Sequence, residues 1–119
     1  MPTMSKEILS GSTNGKGVKV AATGTAGTLI HTVTTGGSNT DIDEIFIYAT
    51  NTHTAQIKLT VEFGGATDPD DHIVANIPAE TTVLVVPGLI LRAGVEVRAF
   101  AGTANEITCH GFVNRIDIS

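Results

Sequence analysis

Aromatic residues and cysteine are scarce in this chain of 119 residues. It has no tryptophan, one tyrosine and four phenylalanines. Proteins that bind sugars or single-stranded nucleic acids usually stack the ligand on exposed aromatic rings, so the composition argues against both classes. The single cysteine excludes an internal disulfide and fits a protein made in a reducing compartment.

Positive charge and long apolar runs are also lacking. Seven Lys and Arg residues stand against twelve Asp and Glu residues, giving a formal net charge of −5. Nucleic-acid binding needs clustered cations, so we expect no nucleic-acid partner. No apolar run approaches the roughly 20 residues of a membrane span, so we expect no membrane partner. The residues after Met1 lack the apolar stretch of a secretion signal, so we expect no secretion. Acidic residues such as Asp43, Glu44 and Glu62 are predicted to form a solvated exterior.

Alternation of apolar and polar residues is the main positive signal. In Ile57–Phe63, Ile57, Leu59 and Val61 point to one face, while Lys58, Thr60 and Glu62 point to the other. Seven further segments have strand character: 17–22, 28–34, 45–49, 72–77, 82–91, 95–100 and 107–113. Turn-forming Gly, Asn, Asp and Ser separate them, for example at 35–39 and 64–71. About eight short strands in residues 17–119 predict one all-β domain, an antiparallel, jelly-roll-like β-sandwich.

Two strand segments carry extra information. Ile45–Ala49 is apolar on both faces, which indicates either a central strand covered on both sides or a strand whose outer face meets a partner. Pro87-Gly88 interrupts the segment 82–91 and predicts a bulge on an edge strand or at a crossover between sheets.

The first sixteen residues are predicted to form a flexible N-terminal arm, because Ser10–Gly17 is rich in Gly, Ser and Asn. Such an arm would become ordered on a partner surface. The alternatives are a frayed terminus or a tight turn at Asn14-Gly15.

Candidates for chemistry are few. Asp68, Asp70 and Asp71 are weak candidates for a cation site, and a solvated acidic turn is the other interpretation. The histidines lack zinc-site spacing, and Cys109 and His110 point to opposite faces of a strand. We therefore expect no catalytic site, no cofactor and no enzymatic activity.

Four aromatic residues are predicted to lie opposite the Ile and Val rows of their strands: Phe46, Tyr48, Phe100 and Phe112. Either sheet curvature or a loop buries them within the subunit, or they form a patch that joins identical subunits. The second interpretation predicts a homo-oligomer, with a trimer favoured and a dimer possible.

The chain resembles short virion proteins of tailed bacteriophages from about Val18 onward. The segments that carry the resemblance are Asp43–Ala49, Leu59–Asp71, Ile77–Ala79, Val85–Leu89, Val97–Ala101 and Gly111–Ile116. The resemblance implies a head decoration (cement) protein, made in the bacterial cytoplasm and bound to the major capsid protein on the outer surface of the head. Ser10, Asn14 and Lys16 are candidates for the capsid contact. A tail, neck or baseplate protein is the alternative, and a small carbohydrate-binding β-sandwich is less favoured.

Overall fold

The computed structural model describes residues 3–36 and 41–118, and these residues form an all-β sandwich. The nine strands are β1 (Thr3–Ile8), β2 (Val18–Val20), β3 (Thr28–Thr32), β4 (Asp41–Asn51), β5 (Ile57–Phe63), β6 (His72–Ile77), β7 (Thr81–Leu91), β8 (Glu96–Ala101) and β9 (Ile107–Asp117). All strand pairs are antiparallel. The predicted fold class is confirmed, with one more strand than the sequence indicated.

Two sheets form the sandwich. The first has the order β1-β9-β4-β7, and β2 pairs with β9 beyond the end of β1. The second has the order β3-β8-β5-β6. Apart from β1–β2 and the β5–β6 pair, each strand is followed in the chain by a strand of the opposite sheet.

The core lies between the sheets and contains the apolar residues that the alternation assigned to the inner face. Its centre includes Ile45, Ile47, Leu59, Val97 and Val113, which are fully or almost fully buried. On β6, Ile73, Ala75 and Ile77 face this core, as the pattern predicted. The alternation therefore identified the inner faces of the main strands correctly.

Strand β7 is an edge strand among the described residues, and it bulges where the sequence places Pro87-Gly88. The register against β4 shifts between Ile45 and Phe46, and Gly88 has φ of +93°. A residue with a side chain is strained in that conformation, whereas glycine adopts it readily. The predicted bulge on an edge strand is thus present.

The structure differs from the flexible arm predicted for residues 1–16. Thr3–Ile8 pairs with the whole end of β9, from Phe112 to Asp117, and Leu9 is buried in the core. The segment has a weak pattern of its own, but the unpaired edge of β9 supplies backbone hydrogen bonds and Leu9 anchors its end. Met1 and Pro2 lie outside the described residues, as does part of the predicted turn at 35–39.

Candidate functional site

The solvent-facing side of the first sheet carries most of the exposed large hydrophobic side chains of the described residues. Cross-strand pairs place four rows on this face: Met4, Ile116 and Ile42; Lys6, Asn114, Glu44 and Ile90; Ile8, Phe112, Phe46 and Pro87; His110, Tyr48 and Leu84. Of the eight exposed large hydrophobic residues, five lie here. We call this set of residues the outer face. A contiguous apolar surface of this kind is typical of a contact with another macromolecule.

A stacked aromatic pair lies at the centre of the outer face. The ring centroids of Phe46 and Phe112 are 4.8 Å apart and the rings are nearly parallel, at 15°. The Nζ of Lys6 lies 4.7 Å from the centroid of Phe112, in position for a cation–π interaction. The bulge at Gly88 lies close to the ring of Phe46, since a Cβ at position 88 would lie 2.9 Å from Cζ of Phe46. The centre of the outer face is therefore a packed cluster of two aromatic rings, one cation and the bulge of β7.

Phe100 does not join this patch. It lies on β8 in the second sheet, where its ring makes an edge-to-face contact with His72 at a centroid distance of 6.0 Å. Phe46 and Phe112 are half-buried and Tyr48 is 38% exposed. The structure thus brings three of the four predicted aromatic residues together and places the fourth in the other sheet.

The side of the second sheet that faces away from the core is polar and partly covered by the segment 21–27. The backbone N–H of Gly27 donates to Oε1 of Glu62 at 2.7 Å, and the Thr25 hydroxyl donates to Oε2 at 3.0 Å. Arg98 donates from Nη1 to the carbonyl oxygen of Gly27 at 3.0 Å. Glu62 is consequently 1% exposed, and the prediction that it faces solvent was wrong. The covering segment is distant in sequence, so the local alternation carries no sign of it.

The acidic turn at 68–71 uses its carboxylates locally. Asp71 accepts a hydrogen bond from the backbone N–H of Thr67 at 3.1 Å, and Asp68 lies 3.5 Å from Nδ1 of His72. Asp70 is exposed. Among the described residues, no group of three or more His, Cys, Asp or Glu side chains is arranged to hold a metal ion. Asp71 and Asp68 therefore make contacts within the turn and with the first residue of β6.

The loop 9–17 carries the three candidate contact residues Ser10, Asn14 and Lys16, all of them exposed. Its first part is fastened to β3, because the backbone N–H of Gly11 donates to Ile30 and that of Thr32 donates to Oγ of Ser10. Its tip is a tight turn in which Asn14 and Gly15 both have positive φ and Lys16 N–H donates to the Thr13 carbonyl. The loop is therefore an exposed segment whose backbone is hydrogen-bonded at its start and in its turn.

A buried ionic cluster was missed by the sequence analysis. Asp43 is fully buried, which corrects its assignment to the solvated exterior. Arg115 donates to both of its carboxylate oxygens, at 2.9 and 3.0 Å, and the backbone N–H of Thr34 and Nε2 of His31 donate to Oδ2 at 2.9 Å each. Burial alone would raise the pKa of Asp43, but the hydrogen bonds from Arg115, His31 and Thr34 outweigh it and hold the pKa below its ordinary value.

The hydrogen bonds of the same cluster define which ring nitrogen of His31 accepts and which donates. The backbone N–H of Ser10 points at Nδ1 of the ring at 3.0 Å, and because an N–H only donates, Nδ1 accepts. The ring proton then lies on Nε2, which donates to Asp43. The cluster thereby ties the loop 9–17 to β3, β4 and β9. It is a structural arrangement, with its donors and acceptors engaged within the chain.

Cys109 faces the core and is fully buried. Burial raises the pKa of its thiol to about 12, so it is protonated and unreactive at neutral pH. Its neighbour His110 is exposed on the opposite face of β9. The two side chains do not form a nucleophile–base pair, as predicted.

Two open clefts lie beside the ends of β5, β7 and β8. One, of about 550 Å³, is lined by the apolar side chains of Phe63, Leu91 and Val95 together with Asp71 and Arg92. The other, of about 380 Å³, is lined by Glu62 and Arg98, both of which hydrogen-bond within the chain. Among the described residues there is no helix long and apolar enough to cross a membrane.

Comparison with known proteins adds little to this geometry. No protein-family profile matches the chain, and no curated protein sequence is significantly similar to it. Among solved structures, a protein from the study of Bacillus endospore appendages as disulfide-linked pili is similar at 14% identity. The alignment covers 99% of this chain and 88% of that one, with a TM-score of 0.46. A likeness this distant carries no argument about function.

Proposed function

We propose that the protein is a non-enzymatic structural component of a tailed-bacteriophage virion, a head decoration protein bound to the outside of the major capsid lattice. The observation that carries the proposal is the outer face, where five large hydrophobic side chains are exposed although the core of the sandwich lies between the sheets. A surface of that kind serves assembly rather than folding. The sequence resemblance to phage virion proteins supplies the particular assembly.

The strand order supports a jelly-roll interpretation of the sandwich. β1 and β2 both pair with the same side of β9 and together act as one interrupted strand. With that strand counted once, each sheet has four strands and only β5 and β6 follow one another within a sheet. This alternation between sheets is the arrangement of a double Greek key.

The polar clusters also favour a structural role. Three ionisable side chains that could act in catalysis or ligand binding are instead buried and hydrogen-bonded to other parts of the chain: Asp43, His31 and Glu62. Each of these contacts joins segments far apart in sequence, which stiffens the subunit. A decoration protein that binds only the mature lattice stabilises that state by mass action, and stiffness lowers the entropic cost of binding.

We assign the capsid contact to the loop 9–17, with Ser10, Asn14 and Lys16 at its surface. The loop is hydrogen-bonded to β3 through Ser10 and Gly11, and it exposes polar side chains together with the cation of Lys16. Many such modest contacts on a lattice add through avidity. The proposed site of action is the outer surface of the head, after synthesis in the bacterial cytoplasm.

Cosedimentation with purified mature heads that lack this protein tests the proposal. The wild-type chain is expected to pellet with heads at a saturable stoichiometry, and Lys16→Glu to bind more weakly. Lys58→Glu is the matched control, because Lys58 is also exposed but lies on the second sheet. Absence of saturable binding overturns the proposal. Equal binding by both variants overturns the assignment of the loop, and binding to tails instead of heads moves the protein to the tail, neck or baseplate.

A further inference from the structure

The outer face has a charge pattern that is complementary to itself. Lys6 on β1 and Glu44 on β4 lie in the same row, on opposite sides of Asn114 on β9. A two-fold axis that runs along β9 in the plane of the interface exchanges the two sides of the row. It places Lys6 of each copy opposite Glu44 of the other, which gives two oppositely charged pairs in the dimer.

The apolar residues obey the same symmetry. In the row of Phe112, that residue lies on the axis, and Ile8 of each copy lies opposite Phe46 of the other. In the row on the other side of Lys6 and Glu44, Met4 of each copy lies opposite Ile42 of the other. A two-fold contact uses one patch on both copies, whereas a three-fold contact needs two different patches. With Phe100 in the other sheet, the single apolar face favours two-fold over three-fold assembly.

We infer that the outer face is a self-association surface, on which a second copy of this chain docks face to face about a two-fold axis along β9. The inference deepens the proposed assembly role and rests on it. The sheets would pack about 10 Å apart, the usual separation of stacked sheets. The partner's chemistry is thus specified: apolar at the centre, with one cation and one anion on either side.

The size of the contact predicts its strength. Three strands span about 14 Å, and β1, β9 and β4 lie side by side over the six residues of β1, about 20 Å along β9, which gives about 280 Å² of projected area per copy. Twice this area is below the lower limit of stable specific interfaces, in the range where complexes are weak and transient. We therefore expect a reversible dimer with a dissociation constant in the micromolar range or weaker, which a lattice would strengthen by holding copies together.

Sedimentation velocity over a concentration series, from micromolar to millimolar, tests the inference with the purified protein alone. Lys6→Glu and Glu44→Lys should each weaken self-association about tenfold or more, because each turns two attractive pairs into repulsive ones. An equimolar mixture of the two variants should associate again, since every pair across the interface is then attractive. Restoration by mixing requires that the pairs form between copies, which no structural role within one copy would produce.

A second pair of variants separates this face from the rest of the surface. Ile8→Ser on the outer face should weaken association, while Val74→Ser on the second sheet should leave it unchanged; the two residues are 54% and 53% exposed. A monomer at every concentration, a trimer, no rescue on mixing, or equal effects of the two serine variants would each overturn the inference. Head binding is measured separately through the loop variants, so failure of one experiment does not decide the other.

Discussion

Removing the carboxylate of Asp43 tests how much the buried ionic cluster contributes to the fold. In Asp43→Ala, the N–H of Thr34, the Nε2–H of His31 and the guanidinium of Arg115 all lose their acceptor. Breaking a buried pair costs about 3–5 kcal/mol, and we take the lower value because Arg115 is about one-third exposed and becomes hydrated. For a domain of this size, a loss of about 3 kcal/mol lowers Tm by roughly 10 °C.

The assay is thermal unfolding at fixed protein concentration and neutral pH, with Asp70→Ala as the control. Both substitutions remove one carboxylate, but Asp70 is exposed in a turn. We expect the control to unfold within about 2 °C of wild type. If Asp43→Ala has the same Tm as Asp70→Ala, the cluster does not stabilise the fold and the reasoning is refuted.

The lowered pKa of Asp43 also predicts how the stability of the protein changes at acid pH. A carboxyl whose pKa is lower in the folded than in the unfolded protein contributes stability above its unfolded value, and that contribution is lost as pH falls through the folded value. Wild type should therefore lose stability below about pH 4 more steeply than Asp43→Ala. An equal loss of stability with falling pH in the two proteins would contradict the hydrogen-bond assignment.

Three further predictions concern other parts of the fold. Gly111→Ala should destabilise the protein strongly, because its Cβ would overlap the carbonyl oxygen of Phe46, whereas Gly24→Ala has open space and should unfold like wild type; urea melts compare them. Cys109 should resist a thiol reagent at pH 8 in the native protein and react fully in guanidinium chloride, since burial raises its pKa to about 12; prompt native labelling would show that β9 opens. Leu9→Ala should cost about 2–5 kcal/mol in chemical denaturation, and a loss near zero would support the arm predicted for residues 1–16.

Local sequence pattern predicted the fold class and the inner faces of most strands, because burial between two sheets imposes a period of two. The bulge at Pro87-Gly88 was also predictable, since proline lacks the N–H that a central strand needs. These features depend on neighbouring residues, and the sequence displays them directly.

What the sequence did not reveal depends on distant parts of the chain. Asp43 meets Arg115 across 72 positions, and Glu62 meets Gly27 across 35, so both carboxylates look solvated when only their own strands are considered. The edge pairing of β1 likewise depends on β9, the last strand of the chain. Which sheet an aromatic residue belongs to is equally non-local, and for this reason Phe100 was grouped with the outer face.

The copy number of this chain in purified virions tests the central claim, a structural role on the head, most directly. Quantitative mass spectrometry against the major capsid protein gives that ratio. The account predicts a ratio near one per capsid subunit or a simple fraction of it. A ratio of a few per hundred, as for a tail or neck component, or complete absence from the particles would contradict it.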